Sequence, residues 1–227
     1  MDIKIAITGG TSGLGRELVR EMRRRGAKVA FVARGRERVE AVAREEPGTF
    51  GIVGDIARKE DIYPLATQIL GNLGGLDVLV NNASDLGPVP LALLGDTECE
   101  DVERALATNL IGPFRLTKAL LGALAASARE GRGAVVLNIS SDAAINPYPR
   151  WGAYGASKAA LHHLSRIWND ELSPEGIRFL SLDPGDMDTP LHALAVPDAD
   201  RAALKRPAVA ARELADAIEA VMEPVNA

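Results

Sequence analysis

The chain has 227 residues, of which 47% are hydrophobic and 25% are charged, and its formal net charge is −5. This apolar content excludes general disorder, and the acidic balance argues against a protein that binds nucleic acid. The single cysteine excludes an internal disulfide framework. No apolar run approaches the ~20 residues of a membrane span. Because a strand pattern begins without a preceding signal peptide, we expect a cytoplasmic protein with one domain over residues 1–227.

Short apolar segments alternate with longer amphipathic ones along the chain. Strands are predicted over Asp2–Thr8, Lys28–Ala33, Thr49–Val53, Leu76–Val80, Ala134–Ile139 and Arg178–Leu182. Helices are predicted over Leu14–Arg25, Arg36–Glu45, Arg58–Leu73, Glu98–Arg129, Ala153–Leu172 and Val209–Val221. Apolar strands that alternate with helices are typical of a parallel sheet covered on both faces.

A glycine-rich turn joins the first predicted strand to the first predicted helix, with the sequence Thr8-Gly-Gly-Thr-Ser-Gly-Leu-Gly15. Gly9 permits a tight turn, Gly13 lets the backbone approach a pyrophosphate, and Gly15 lets the helix pack close to the strand. The helix N-terminus offers free N–H groups and a positive dipole end to an anion. The turn therefore predicts a dinucleotide site that also includes Thr11, Ser12 and Leu14.

A basic residue follows the second predicted strand, at a place where an acidic one would favour NAD. Ala33 is followed by Arg34, about 20 residues beyond the last glycine of the turn. A guanidinium can form two hydrogen bonds with the 2′-phosphate of NADP. We therefore predict NADP(H) as the preferred cofactor, and NAD(H) is the alternative if Arg34 is an ordinary surface residue.

Tyr154 and Lys158 are four residues apart on a predicted helix, so their side chains share one face. A close ammonium group lowers the pKa of a phenol by about 1–3 units. The pair is thus expected to let Tyr154 exchange a proton near neutral pH. By itself the spacing is a weak signal, because tyrosine and lysine are also common on helix surfaces.

Further motifs accompany these two in a fixed order. They are Asp55 in Gly-Asp-Ile, Asn81-Asn82-Ala83, Asn109 in Thr-Asn-Leu, Asn138-Ile-Ser-Ser141, Tyr154-x-x-x-Lys158 and Pro184-Gly-x-x-x-Thr189. From Ile3 to about Thr189 the chain resembles the short-chain dehydrogenase/reductases in their ordinary single-domain form. The resemblance implies a Rossmann-like α/β fold, a doubly wound parallel sheet with strand order 3-2-1-4-5-6. It also implies an NAD(P)-dependent oxidoreductase that acts on a small carbonyl or alcohol substrate.

The resemblance assigns catalytic roles to four residues. Tyr154 would be the general acid in carbonyl reduction and the base in alcohol oxidation, and Lys158 would lower its pKa and bind the nicotinamide ribose. Ser141 would orient and polarise the substrate carbonyl; its spacing to Tyr154 favours it over the adjacent Ser140. Asn109 would hold a water that links Lys158 to a proton relay.

The same resemblance assigns cofactor contacts along the chain. Asp55 and Ile56 would contact the adenine, and Asn82 and Ala83 would lie beside the adenosine ribose. The nicotinamide would be lined by Pro184, Gly185, Met187 and Thr189. Residues 186–207 are expected to form a substrate lid, and a homo-oligomer, a dimer or a tetramer, is expected. We expect no metal, no nucleic acid and no membrane as partners.

Several features depart from the family's pattern. Ser84 replaces the usual glycine after Asn-Asn-Ala, and it adds a side chain near the cofactor cleft. Asp85, Asp142 and Asp186 either converge on the pocket, where they would favour a polar or basic substrate, or cap loops. The sequence after the last predicted helix lacks a pattern for the family's seventh strand, so this edge strand is absent or the sequence is shortened.

Three other functions compete with an NADP-dependent carbonyl reductase. An NAD-dependent alcohol dehydrogenase would follow if Arg34 did not bind a phosphate. An epimerase or dehydratase with a bound nicotinamide cofactor would have differently spaced glycines and a longer C-terminal part. A non-catalytic dinucleotide sensor on the same fold would be expected to lack Tyr154 or Lys158, which this chain keeps.

Overall fold

A six-stranded parallel sheet forms the centre of the protein in the computed structural model, which describes residues 3–222. Its strands are β1 (Lys4–Thr8), β2 (Lys28–Ala33), β3 (Phe50–Val53), β4 (Val78–Asn81), β5 (Ala134–Ile139) and β6 (Ile177–Leu182). The order β3-β2-β1-β4-β5-β6 confirms the predicted fold class. The expectation about a seventh strand concerns the end of the chain, residues 223–227, and lies outside the described residues.

Helices cover both faces of the sheet. They are α1 (Gly13–Arg24), α2 (Arg36–Glu45), α3 (Ile62–Leu73), α4 (Cys99–Leu106), α5 (Gly112–Arg129), α6 (Gly152–Leu172), α7 (Pro190–Ala195) and α8 (Pro207–Met222). Successive strand residues point to opposite faces, so Ile5 and Ile7 pack against α1 and α8, while Ala6 packs toward α3 and α5. Among residues 3–222, we find no helix with the length and apolarity needed to cross a membrane.

The order of the strands decides where a ligand can bind. From β1 the chain first builds outward through β2 and β3, and it then returns to the other side of β1 to build β4, β5 and β6. The connections on the two sides of β1 therefore diverge and leave a crevice at the carboxyl ends of β1 and β4. Parallel α/β sheets bind their ligands at such a switch point.

The helix predicted over Glu98–Arg129 is interrupted. A π-helical turn over Ala107–Ile111 separates α4 from α5, and the N–H of Gly112 bonds the carbonyl of Ala107, five residues back. Pro113 has no N–H, so it cannot make the bond that a regular α-helix would make to the carbonyl of Asn109. The wider turn places Asn109, which is fully buried, toward the active-site side of α6.

Ion pairs connect α1 to α8, two of the helices that cover one face of the sheet. Arg25, just after α1, bonds Glu21 on its own helix at 2.7 Å. It also pairs with Asp216 and Glu219 of α8, each at 2.7 Å. The Arg25 side chain is only 15% exposed, so these pairs are more shielded than ordinary surface pairs.

We predict that Arg25→Met lowers the free energy of unfolding by about 2 kcal/mol, between the values typical of exposed and of buried pairs. The loss arises because Asp216 and Glu219 of α8 then lose their cation from α1, while Glu21 keeps only Arg24. Arg23→Met is the matched control, because within residues 3–222 the exposed Arg23 side chain bonds only the Pro47 carbonyl. Denaturant titrations of both variants measure the difference, and equal stabilities would contradict the assignment.

Candidate active site

A cleft of about 560 Å³ opens at the carboxyl ends of the strands. Every residue for which a cofactor contact was predicted lines it: Gly9, Thr11, Ser12, Gly13, Leu14, Gly15, Arg34, Asp55, Ile56, Asn82, Ala83, Tyr154, Lys158, Pro184, Gly185, Met187 and Thr189. Ser141 also lines the cleft, whereas Asn109 lies buried behind it. The fold thus brings sequence-distant motifs to one cavity.

The glycine-rich turn fits a bound pyrophosphate. No side chain caps the N-terminus of α1, so its first N–H groups stay available to an anion. A Cβ atom at Gly15 would lie 2.3 Å from the Gly9 carbonyl oxygen and 2.4 Å from Nδ2 of Asn82. The backbone at Gly9 has a φ of 70°, in the left-handed region. Glycine at these positions is therefore required for the turn to lie this close to β4.

Asn82 and Thr8 tie the ends of β4 and β1 together. Nδ2 of Asn82 donates to the Thr8 carbonyl at 2.8 Å. The Thr8 hydroxyl accepts hydrogen bonds from the backbone N–H groups of Asn82 at 3.0 Å and Ala83 at 3.1 Å. Asn82 therefore holds the turn in place through these hydrogen bonds and also forms part of the cleft wall.

The end of the cleft beside β2 and β3 is basic. Arg34 and Arg38 are exposed and line it, with Asp55 and Ile56 at the bottom of the neighbouring loop. The Asp55 carboxylate accepts a hydrogen bond from the Ala57 N–H at 2.9 Å. Sequence reasoning missed Arg38; its position four residues after Arg34, in the first turn of α2, could have indicated it.

Tyr154 and Lys158 lie together on the floor of the opposite end. They are 8% and 2% exposed, and Nζ of Lys158 is 5.6 Å from the centre of the Tyr154 ring. The same Nζ donates to the Ile139 carbonyl at 2.8 Å, at the end of β5. Ser141 follows that strand and accepts the Ala143 N–H at 3.2 Å, which orients its hydroxyl.

Burial controls the ionisation of this pair. Burial raises the pKa of Tyr154 to about 12, against a smaller opposite effect of the Ser141 and Ser84 hydroxyls. Burial also lowers the pKa of Lys158 to about 8. The expectation that Lys158 brings the pKa of Tyr154 toward neutrality is wrong for this arrangement. Desolvation of the phenol dominates, because the ammonium group is directed at the Ile139 carbonyl.

Asn109 is held by protein groups on every side of its amide. Its Oδ1 accepts hydrogen bonds from the Asp85 N–H at 2.8 Å and from the Ser84 hydroxyl at 3.2 Å. Its Nδ2 donates to the Asp85 carbonyl at 2.7 Å and to Ser157 Oγ at 2.8 Å. A relay water at Asn109 would therefore have to bind the backbone carbonyl rather than the side chain.

Carboxylates gather at the end of the cleft near Tyr154. Asp142, Asp183 and Asp186 line it, and Asp142 accepts a hydrogen bond from the Tyr148 hydroxyl at 2.7 Å. Asp85 does not join them. Its carboxylate caps the Gly87 N–H at 2.8 Å and pairs with Arg104 at 3.4 Å. Two of the three aspartates expected at the pocket are thus present there, and the third caps a loop.

A short helix that was not predicted closes one side of the same end. Thr189 starts α7 by accepting the His192 N–H at 3.2 Å. Leu191 and Ala195 of α7 then pack against the small apolar cluster that contains Tyr154. His192, Tyr148 and Trp151 also line the cleft.

Comparison with known proteins gives the family. Residues 4–200 match the short chain dehydrogenase family, and the chain belongs to it. An uncharacterized oxidoreductase of Thermotoga maritima is 35% identical over 185 residues, which cover 80% of this chain and 70% of that protein. L-fucose dehydrogenase of Bos taurus is 33% identical over 187 residues, which cover 82% and 67%.

Solved structures agree with this assignment. The 3-ketoacyl-(acyl-carrier-protein) reductase of Brucella melitensis, complexed with NADH, has a TM-score of 0.90 and 27% identity, with 98% of this chain and 94% of that chain covered. A short chain dehydrogenase of Shigella flexneri, complexed with NADP, has a TM-score of 0.87 and 27% identity, with 97% and 91% covered. This protein is therefore an NAD(P)-dependent oxidoreductase of the short-chain dehydrogenase/reductase type.

The steric requirement at Gly15 is testable. We predict that Gly15→Ala lowers the free energy of unfolding by about 1–3 kcal/mol and weakens dinucleotide binding, because the new methyl group pushes α1 away from the turn. Gly71→Ala is the control, since no described atom lies within 4 Å of the new Cβ in α3. That variant should be neutral or more stable by up to about 1 kcal/mol. Thermal unfolding and fluorescence titration of NADPH measure both; equal behaviour of the two variants would contradict the requirement.

Proposed function

We propose that the protein is an NADP(H)-dependent oxidoreductase that transfers a hydride between the nicotinamide and a carbonyl or secondary alcohol, with Tyr154 as the general acid and base. The observation that carries this proposal is the meeting of Ser141, Tyr154 and Lys158 in one cleft with the glycine-rich turn. The nicotinamide, when bound, supplies or accepts the hydride. The protein has to bind the cofactor, orient the substrate and protonate the substrate oxygen.

The lining of the cleft supports an order for the cofactor's parts. The α1 N-terminus and its glycines would hold the pyrophosphate, and Arg34 with Arg38 would pair with a 2′-phosphate. Asp55 and Ile56 would then flank the adenine, and Asn82 with Ala83 the adenosine ribose. At the other end, Pro184, Gly185, Met187 and Thr189 would line the nicotinamide, with Lys158 at its ribose. A Cβ atom at Gly13 would be 3.2 Å from Thr189, so these two walls are close.

The environment of Tyr154 suits carbonyl reduction. A phenol with a pKa of about 12 stays protonated at neutral pH, and a general acid must start protonated. In our proposal Ser141 donates a hydrogen bond to the substrate oxygen, and Tyr154 transfers its proton to that oxygen. Both donors stand ready before the negative charge develops, which is the arrangement that stabilises an oxyanion. Asn109 bonds Ser157, and Ser157 bonds the Tyr154 carbonyl, so Asn109 helps to position Tyr154 from the buried side of α6.

The substrate end of the cleft supports a small, polar or basic substrate. Asp142, Asp183 and Asp186 carry negative charge there, and an anionic substrate would be repelled. Residues 186–207, here called the lid segment, would cover that substrate through α7. Its two ends are joined, since Lys205 N–H bonds the Asp186 carbonyl at 3.0 Å and Asp188 N–H bonds the Lys205 carbonyl at 3.1 Å.

A homo-oligomer also belongs to the proposal. Ile111, between α4 and α5, and Ile167 on α6 are 37% and 41% exposed, so apolar side chains lie at the surface along these helices. Covering such side chains in a second subunit would remove apolar surface from water. Light scattering on the purified protein would distinguish a dimer from a tetramer.

The cofactor preference rests on Arg34. We predict that NADPH binds more tightly than NADH and that Arg34→Ala weakens NADPH binding about 10–100-fold, the loss expected for one charge-assisted contact, while NADH binding stays unchanged. Arg36→Ala is the matched control, because Arg36 is an exposed neighbour on α2 that does not line the cleft. Cofactor fluorescence titration measures all three proteins. Equal affinity of the native protein for NADH and NADPH would overturn the preference and favour an NAD-dependent alcohol dehydrogenase.

A test of catalysis by Tyr154 distinguishes an enzyme from a non-catalytic dinucleotide sensor. We predict that Tyr154→Phe reduces turnover about 10²–10⁴-fold while NADPH binding is retained, because only the proton donor is removed. The assay follows NADPH consumption with a panel of an aromatic ketone, a β-keto ester, an aldose and a quinone. Tyr63→Phe, at an exposed site on α3, is the control and should keep full activity. Full activity of Tyr154→Phe would exclude the assigned role.

A further inference from the structure

Ser84 lies where the family's pattern has glycine, directly after Asn81-Asn82-Ala83. The residue is half-buried and lines the cleft beside Ser141 and Tyr154. Its hydroxyl donates to Oδ1 of Asn109 at 3.2 Å. A glycine at this position has no group that could make this bond, so the contact is a property of this chain's own sequence.

The bond from Ser84 is one step in a series of hydrogen bonds that starts at the backbone carbonyl of Tyr154. The Ser157 hydroxyl donates to the Tyr154 carbonyl at 2.6 Å and accepts Nδ2 of Asn109 at 2.8 Å. Oδ1 of Asn109 then accepts the Ser84 hydroxyl, and Ser84 lines the same cleft as the Tyr154 phenol. Three buried or half-buried side chains thus connect the backbone of Tyr154 to the part of the cleft wall that holds Ser84.

We propose that Ser84 is a positioning residue for Tyr154, which holds the phenol in place and donates its hydrogen to the phenolate oxygen that forms when Tyr154 gives up its proton. In this step the proton leaves Tyr154 for the substrate oxygen, and the Ser84 O–H turns from Asn109 to the phenolate. Asn109 keeps its other bond, from the Asp85 N–H. A hydroxyl bound to an anionic oxygen makes a stronger bond than one bound to a neutral amide oxygen, so the turn is favourable.

The surroundings of the phenol leave a clear role for such a donor. Lys158 faces it from α6, and Asp142 and Asp183 face it from the loops after β5 and β6. His192 and Asp186 line the same cleft, whereas Asp85 is paired with Arg104. Burial and the two aspartates raise the pKa of Tyr154, while Ser141 and Ser84 lower it. Ser84 therefore works with Ser141 against the desolvation of the phenolate.

The inference rests on the proposed role of Tyr154, but its test needs neither substrate nor cofactor. The chain contains three tyrosines, so Tyr63→Phe and Tyr148→Phe together leave Tyr154 alone. Difluorotyrosine, with both fluorines next to the hydroxyl, then labels this one site and lowers the intrinsic pKa of its phenol into a range where the protein stays folded. Fluorine NMR follows its ionisation with pH. In this background Ser84→Ala, Ser84→Gly, Ser84→Thr and Ser165→Ala are compared.

We expect Ser84→Ala and Ser84→Gly to raise the pKa of the labelled phenol by about one unit, since each removes a donor to the charged form. Ser84→Thr keeps the hydroxyl and should restore the original value. Ser165→Ala removes another buried hydroxyl of α6, which bonds the Leu161 carbonyl and Asn138, and should leave the value unchanged. An unchanged pKa in both the alanine and the glycine variant, or an equal rise in Ser165→Ala, would overturn the proposal. The turnover of Tyr154→Phe tests the proposed function separately.

Discussion

The close approach of α1 to the ends of β1 and β4 is the constraint on which the rest of the structure depends. At Gly15 the helix lies so near the Gly9 carbonyl and the Asn82 amide that a methyl group has no room. The same Asn82 amide bonds the Thr8 carbonyl and so joins the two strands at the point where the sheet changes direction. Helix N-terminus, turn and strand ends are therefore fixed as one unit, and the cleft is shaped by backbone atoms that cannot easily move.

A second constraint concerns charge. The cleft is basic near α2, through Arg34 and Arg38, and acidic near Tyr154, through Asp142, Asp183 and Asp186. Between these ends the reacting pair is buried, and burial shifts the pKa of Tyr154 upward and that of Lys158 downward. The two shifts have one cause, because each charged form loses hydration. In the proposed mechanism Tyr154 starts as a neutral phenol, and its desolvation favours that form.

The sheet order, the glycine turn and the placement of Tyr154 and Lys158 on one helix could all be predicted from the sequence. These features are local: an apolar strand, a turn that only glycine can adopt, and two side chains one helical turn apart. The sequence analysis did not predict the short helix α7 or the π turn around Asn109. The helix depends on packing in the folded chain, and the π turn depends on one proline inside a long helical pattern. The pKa of Tyr154 was predicted in the wrong direction, because burial is a property of the folded chain. The bond between Ser84 and Asn109 joins residues 25 positions apart, and no local pattern indicates it.

The joined ends of the lid segment have an evolutionary consequence. The backbones of Asp186 and Asp188 are hydrogen-bonded to Lys205, which lies opposite Met187 in a short β-bridge. The Lys205 ammonium donates to the Pro184 carbonyl and to Glu213 of α8. The lid segment therefore begins and ends at one small hydrogen-bonded site on the rest of the fold. In the proposed role of this segment as a substrate lid, insertions or substitutions inside it would alter what the enzyme selects without disturbing the strands at the cofactor cleft. New specificities would then arise here at little risk to folding, while the framework of the cleft stays unchanged.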